Sequence, residues 1–304
     1  MASLRNVLTA VVLVALLASY PTAAPKYSDW SAPVNLGAVI NSSFNDQGPA
    51  ISKDGLSLYF SSGRPGGFGG SDIWVSQRAS QEAPWDSPIN LGGVVNTAAN
   101  ESIPALSRDE HCLFFNSNTS GSFNDIWASC RRHTHDDFGW ETPMNLGEGV
   151  NSAFNDQGAG YFENDEGGAP LLFFGSDRPG GPGLNDIYVS QQLRNGSFGP
   201  ASLVAELSSL ADDLRPSVRF DGLEVFFFSS RPGSLGSDLW TATRETVFDF
   251  WSNVENLGTV VNSSANDIHP YIAPDRRTLY FASNRPGGSG MQDLYVTTRT
   301  RQHP

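Results

Sequence analysis

The sequence predicts an all-β protein: a single five-bladed β-propeller of four-stranded antiparallel blades, closed by an N-terminal strand that completes the C-terminal blade. Three observations carry this expectation. An Asp-[Ile/Leu]-[Trp/Tyr] signature recurs at Asp72, Asp125, Asp186, Asp238 and Asp293, at intervals of 53, 61, 52 and 55 residues, and a period near 50 marks stacked or circular units. Each copy divides into four short strand-like stretches, too few to bury a core alone, so neighbouring units must pack on one another. Helical periodicity is absent after the first two dozen residues.

The first copy, Asn45 to Arg78, shows how each element is specified. A short strand from Pro49 to Ser52 ends at Asp54-Gly55, a dipeptide that accepts the positive φ angles of a tight hairpin turn. An apolar second strand follows, Leu58-Tyr59-Phe60 here and Val225-Phe226-Phe227-Phe228 in copy four. The Gly-rich loop Arg64-Pro65-Gly66-Gly67 leads into the third strand, Asp72-Ile73-Trp74-Val75. The fourth runs from an opening aromatic (Trp30, Trp85, Trp140, Phe198, Trp251) toward an Asn-Leu-Gly. The chain after its leader begins on a fourth-type strand near Trp30 and ends on a third-type strand near Tyr295, a phase that joins the ends into one blade and leaves no open edge. An open or oligomeric ring is the alternative; a closed ring implies a monomer.

The pattern N-D-x-x-P-x-[IV]-x-x-D-G-x-x-L-Y-F-x-S-x-R-P-G-G-x-G-x-x-D-[IL]-[WY]-V resembles the WD40-like PD40 repeat of TolB-type periplasmic propellers, and the resemblance covers essentially the whole chain after the leader. It implies a propeller that serves scaffolding or binding. Three departures stand out: copy two reads Asn116-Ser117-Asn118-Thr119-Ser120-Gly121 in place of Arg-Pro-Gly-Gly, copy three lengthens its first turn around Glu163 to Gly168, and copy four has Leu203-Val204-Ala205-Glu206-Leu207 in place of Asn-Leu-Gly. With no OmpA-like segment in the sequence, the role of TolB in its own system is not implied.

Residues 1–24 read as a secretory signal peptide: Arg5, an apolar run from Val7 to Ala18, then Thr22-Ala23-Ala24. Residues 25–304 form the propeller domain. The expected location is therefore secreted or periplasmic, with no membrane span. A formal charge of −13 with two lysines, Lys26 and Lys53, excludes nucleic acid and anionic membranes as partners. Cys112 and Cys130 fall opposite each other in the copy-two hairpin, which predicts a disulfide in an exported chain; two buried free thiols are the alternative.

Strand alternation places the loop into each innermost strand and the Arg-Pro-Gly-Gly loop on one face. An acid stands at that position in every copy: Asp46, Glu101, Asp156, Asp213 and Asp267. Gathered near an axis, these would form an acidic ring whose repulsion calls for Ca2+, a basic ligand or an internal arginine; otherwise each acid caps its own loop. No other cofactor is implied. Arg64 with Asp72, Arg178 with Asp186, Arg231 with Asp238 and Arg285 with Asp293 bracket the Gly-rich loop, and a structural clasp within each pair is expected. Residues that break the repeat are more informative. Just before the repeat's Pro position stand Gly48, Ile103 and Gly158, preceded by Gln47, Ser102 and Gln157, whereas copies four and five hold Arg215 and His269 there.

These features predict a non-catalytic binding propeller that engages a protein or glycan through an acidic axial face, with Gln47, Glu101, Gln157, Arg215 and His269 as ligand contacts. The alternative from another class is a carbohydrate-active enzyme, hydrolase or lyase, with Asp46, Asp156, Asp213, Asp267 and His269 as candidate catalytic groups. A third is a lectin with one pocket per blade. His133-Thr134-His135-Asp136-Asp137 has metal-ligand residue types but is expected on the opposite face as a solvated loop.

Overall fold

The computed structural model describes residues 27–121, 123–163 and 167–302, so the leader and part of the long copy-three turn lie outside the described residues. After β1 (Val34–Asn35), blade one is β2 (Asp46–Ile51), β3 (Ser57–Ser62), β4 (Asp72–Gln77) and β5 (Ile89–Asn90). Blade two is β6 (Glu101–Leu106), β7 (Cys112–Ser117), β8 (Asp125–Cys130) and β9 (Met144–Asn145). Blade three is β10 (Asp156–Phe162), β11 (Leu171–Ser176), β12 (Asp186–Gln191) and β13 (Ser202–Leu203). Blade four is β14 (Asp213–Val218), β15 (Glu224–Ser229), β16 (Asp238–Thr243) and β17 (Ser252–Asn256). The fifth blade takes β18 (Asp267–Ile272), β19 (Thr278–Ser283) and β20 (Asp293–Thr298), and its outermost strand is β1, paired antiparallel through Val34 with Val296 and Asn35 with Tyr295. The ring is closed by its N-terminal strand, as the repeat phase predicts.

The second strand of each blade is buried along nearly its whole length because neighbouring blades cover both of its faces. This is why Leu58-Tyr59-Phe60 and Val225-Phe226-Phe227-Phe228 are continuous apolar runs rather than alternating ones. Burying a Phe such as Phe227 contributes about 1.5–3 kcal/mol, and the four core clusters each combine strands of adjacent blades.

Each innermost strand carries a β-bulge, between Gln47 and Ala50, Ser102 and Ala105, Gln157 and Gly160, Leu214 and Ser217, and Ile268 and Tyr271. The bulged residue has φ from +53° to +68°: Gly48, Ile103, Gly158, Arg215 and His269. Glycine is suited to this backbone and the other three are strained in it, a β-branched Ile most of all. The bulges pack against one another across the axis. A Cβ on Gly48 would lie 2.7 Å from the Ile103 Cα, and one on Gly158 would lie 3.1 Å from the Arg215 Cα.

Cys112 and Cys130 face each other across β7 and β8 and form a disulfide, with Cα atoms 4.0 Å apart. Because the bridge closes an 18-residue separation, its loss from Cys112→Ser/Cys130→Ser is expected to cost about 3 kcal/mol by the chain-entropy relation. Urea titration of the oxidised wild type and the double variant measures this, and a change below 1 kcal/mol would show that the hairpin is held without it.

Candidate functional site: the axial mouth

The loops entering the inner strands and the Gly-rich loops share one face, and on it the five repeated acids behave differently from the expected ring. Asp46, Glu101, Asp156, Asp213 and Asp267 are each 0 % exposed. Their oxygens are held within their own blades. Asp46 Oδ2 accepts from the Ser42 backbone N–H at 2.6 Å and the Ser42 hydroxyl at 2.8 Å, while Oδ1 receives Arg64 Nη2 at 2.7 Å. The same clasp recurs as Ser152–Asp156–Arg178, Ser209–Asp213–Arg231 and Ser263–Asp267–Arg285. Blade two lacks the arginine. There the longer Glu101 takes hydrogen bonds from the Thr97 backbone and hydroxyl and from the hydroxyls of Ser117 and Thr119.

Two expectations are therefore corrected. The arginine of the Gly-rich loop clasps the acid that opens the innermost strand (Arg64 to Asp46), not the acid that follows it in sequence (Asp72). Asp72, Asp186, Asp238 and Asp293 instead accept backbone N–H groups of their own loops, such as Phe68 and Gly69 on Asp72, and Asp72, Asp238 and Asp293 also take an amide from Asn90, Asn256 and Asn35. The second correction concerns the axis, which presents no acidic ring, because each carboxylate is spent inside its blade and neutralised in four of five by arginine. This removes the convergent ligand set that Ca2+ on the axis would need, and none of these five carboxylates is exposed to engage a partner. Among the described residues no group of three or more His, Cys, Asp or Glu is placed to hold a metal ion.

The guanidinium of each clasp also lies over the aromatic that follows the signature Asp: Arg64 over Trp74 at 5.5 Å, Arg178 over Tyr188 at 5.0 Å, Arg231 over Trp240 at 5.2 Å and Arg285 over Tyr295 at 4.9 Å. These aromatics are buried and offer no platform to a ligand.

What does line the axis is the set of bulge residues and their neighbours. A cavity of about 40 Å3 at the mouth is bounded by Ile103, Gln157, Gly158, Leu214, Arg215, Phe228 and His269. Arg215 is fully buried; its Nη1 donates to the Ala159 carbonyl at 2.6 Å and its Nη2 to the Pro104 carbonyl at 2.8 Å, so it ties three inner strands together across the channel. Burial pulls its pKa down to about 10, which leaves it charged at neutral pH. His269 sits edge-on to Phe228 with ring centroids 5.3 Å apart. Burial, and secondarily the Arg215 charge, lower its pKa to about 3, so the imidazole is neutral. Gln157 lines this cavity, whereas Glu101 is held in its own loop.

On the opposite face a cavity of about 360 Å3 lies between blades one and two, bounded among others by Asp54, Gln77, Glu110, His135 and Asp137. His135 and Asp136 are exposed, but Asp137 is buried, contrary to a solvated loop. It receives Arg131 Nη1 at 2.9 Å, Gln77 Nε2 at 2.8 Å, and the hydroxyls of Ser57 and Tyr59, binding blade two to blade one.

One repeated pair escaped the sequence reading although its spacing is regular. Six residues after the signature Asp stand Arg78, Arg131, Gln192, Arg244 and Arg299. The four arginines cover the opening tryptophans at 4.2 Å (Trp85), 4.3 Å (Trp140), 4.1 Å (Trp251) and 4.5 Å (Trp30), and in copy three both partners change together, to Gln192 and Phe198. That joint change was the available signal.

No family model matches the chain, and no curated protein matches it in sequence. Solved structures do match its shape. The catalytic domain of the Coprinopsis cinerea GH62 α-L-arabinofuranosidase aligns with 91 % of this chain and 98 % of its own at 14 % identity and a TM-score of 0.58. An endo-arabinase from Bacteroides thetaiotaomicron aligns with 90 % and 98 % at 13 % identity and a TM-score of 0.59. TolB from Acinetobacter baumannii aligns with 87 % of this chain and 57 % of its own at 15 % identity and a TM-score of 0.51. At such identities the likeness establishes the five-bladed propeller fold and nothing finer.

Proposed function

We propose that the protein is an exported, glycan-binding propeller that holds its ligand on the axial mouth face without cleaving it. The observation that carries the non-catalytic part is the sealing of the carboxylates. Glycoside hydrolysis needs two carboxyl groups facing one sugar, about 5–5.5 Å apart for retention or 6.5–9.5 Å for inversion. Asp46, Asp156, Asp213 and Asp267 are 0 % exposed and each is bound by a serine and an arginine, so none reaches a substrate. Replacing one would damage the fold rather than remove a base.

The binding part rests on what the loops leave outside. The Gly-rich loop of every blade exposes one large apolar side chain: Phe68, Phe123, Leu184, Leu235 and Met291. Phe44 and Phe154 are exposed on the neighbouring loops, and the half-exposed Gln47, Ser102 and Gln157 supply amide and hydroxyl groups toward the axis. Aromatic rings beside a few neutral polar groups suit the mixed apolar and hydroxyl surface of a sugar. The Gly-rich-loop arginines are locked in clasps, which leaves such a ligand no competing cation on those loops. Export is favoured by the disulfide and by the leader in the sequence; among the described residues no helix is long and apolar enough to cross a membrane. The repeat's similarity to the PD40 type supports the same binding role.

A second reading, a carbohydrate-active hydrolase, is favoured by the arabinose-releasing and arabinan-degrading activities named for the neighbours of similar shape. One experiment separates the readings. Arabino-oligosaccharides, arabinan and a panel of neutral oligosaccharides are titrated calorimetrically while the same mixtures are assayed for reducing ends. The expected result is binding at a stoichiometry of one, no product, and weakening of about tenfold in Phe68→Ala or Phe123→Ala. A stoichiometry near five would assign a multivalent lectin, and product release that survives in wild type but vanishes in a folded Asp213→Asn would establish the hydrolase.

A further inference from the structure

We propose that the axial mouth binds a small monoanion, a carboxylate group or a halide ion, held between Arg215 and His269. Arg215 has its side chain fully inside the protein and forms no ion pair with any described carboxylate. Elsewhere in the described chain the buried guanidinium groups of Arg131, Arg219 and Arg299 each meet a carboxylate, at Asp137, Glu224 and Glu224 respectively, and buried Arg244, which has no described ion pair, lies against the Trp251 ring. A charge removed from water is stable only with compensation, and two carbonyl dipoles from Ala159 and Pro104 offset part of it.

The remaining donors converge on the mouth cavity. Arg215 Nε and His269 Nδ1 are both buried, neither has a hydrogen-bond partner, and both residues bound the same space of about 40 Å3. One water needs about 10–15 Å3 on this measure, so the space suits two or three heavy atoms, the size of a carboxylate or a halide and too small for a sugar ring. Ile103, Leu214 and Phe228 form apolar walls, and Gln157 and Gly158 complete the lining. A low-dielectric wall strengthens attraction between the guanidinium and a single negative charge, and the neutral imidazole donates from Nδ1 when that nitrogen carries its proton. Nε–H with the adjacent Nη–H presents the side-on edge that a carboxylate accepts.

The backbone adds an independent sign. Arg215 and His269 occupy the bulge position at φ +55° each, where blades one and three use glycine and blade two holds the apolar Ile103 at φ +53°. Residues held in such backbone cluster at ligand sites. Two adjacent blades thus accept strain at the positions that bring these donors to the axis. The anion site stands whether or not the mouth face takes a neutral glycan.

The test uses the purified chain in sodium cyclamate, a bulky sulfamate that carries no carboxylate and exceeds the cavity, at fixed ionic strength. Sodium chloride, sodium formate and sodium glucuronate replace the cyclamate stepwise while the melting temperature and the heat of binding are recorded. The expected result is a saturable rise in Tm with one site. Chloride and formate acting alone identify a free ion, whereas glucuronate displacing formate identifies a carboxylate carried on a sugar acid. Because Arg215→Met has a risk of misfolding, the decisive variant is Gln157→Glu, which lines the cavity and supplies a carboxylate from within the chain. It is expected to raise Tm in cyclamate and to weaken chloride and formate by at least tenfold. His269→Phe, losing one donor, is expected to weaken them about tenfold. Equal Tm and no binding heat in all four salts, or a Gln157→Glu variant that binds the anions as wild type does, would overturn the proposal.

Discussion

Replacing Asp137 by Ala is expected to destabilise the protein by about 4 kcal/mol. Arg131 and Asp137 have side-chain exposures of 0 % and 4 %. Removing the carboxylate strands a buried cation, and breaking such a pair from one side costs about 3–5 kcal/mol. Ser57, Tyr59 and Gln77 lose their acceptor at the same time. Burial, and after it the Asp137 charge, drive the Tyr59 pKa far above the usual phenol range, so its hydroxyl is always available to donate. Part of the Arg131 charge remains against the Trp140 face and the Asp136 carbonyl, which sets the estimate below the upper end of the range. Tyr59→Phe, which deletes a single donor, should cost about 1 kcal/mol. Urea unfolding of the three proteins measures both numbers; a loss under 1.5 kcal/mol in Asp137→Ala would mean that blades one and two are joined by their apolar contacts alone.

The second large effect belongs to the clasps. Asp213→Asn is expected to cost about 3 kcal/mol, because Arg231, which is 12 % exposed, loses its ionic partner while the amide keeps only part of the Ser209 contact. Glu101→Gln in blade two offers an internal comparison. Its carboxylate is bound only by hydroxyl and backbone donors, so the expected cost is about 1–2 kcal/mol. Equal losses in the two variants would show that the arginine contributes nothing beyond the serine contacts. The contrast also bears on function: a residue whose replacement lowers stability this much cannot be assigned a catalytic role from lost activity unless the variant is shown to be folded.

Both predictions rest on the same feature of the propeller. Blades pack face to face, so any polar group between them is removed from water and must find a partner there. The clasp does this at the mouth, the Arg131–Asp137 pair at the other end of blades one and two, and Glu224 with Arg219 and Arg299 near the junction of blades four and five. At the mouth cavity compensation is incomplete, because Arg215 Nε and His269 Nδ1 are buried there without a partner.

The sequence by itself determined the all-β class, the five blades, the four strands in each, the closure by the N-terminal strand and the Cys112–Cys130 bridge. These follow from local rules repeated five times: alternation, turn dipeptides and the phase of the repeat are written within windows of a few residues. Tertiary structure alone decided the partner of Arg64. Asp46 and Asp72 lie 18 and 8 residues away, and only the path of the Gly-rich loop over the innermost strand selects the more distant one. It decided that the five acids turn into their own loops instead of forming a ring, because a serine four residues earlier captures each aspartate through backbone and hydroxyl. It decided that Asn41 and Asn262 are buried with their amides spent on β20 and β16. It also decided that Arg215 and His269 share one cavity. Their separation of 54 residues says only that they hold the same position in adjacent blades; the bulge at φ +55° is what turns both side chains toward the axis. Local chemistry is repeated in the sequence and so can be read there, whereas charge compensation is settled across blades, between groups that no short window contains.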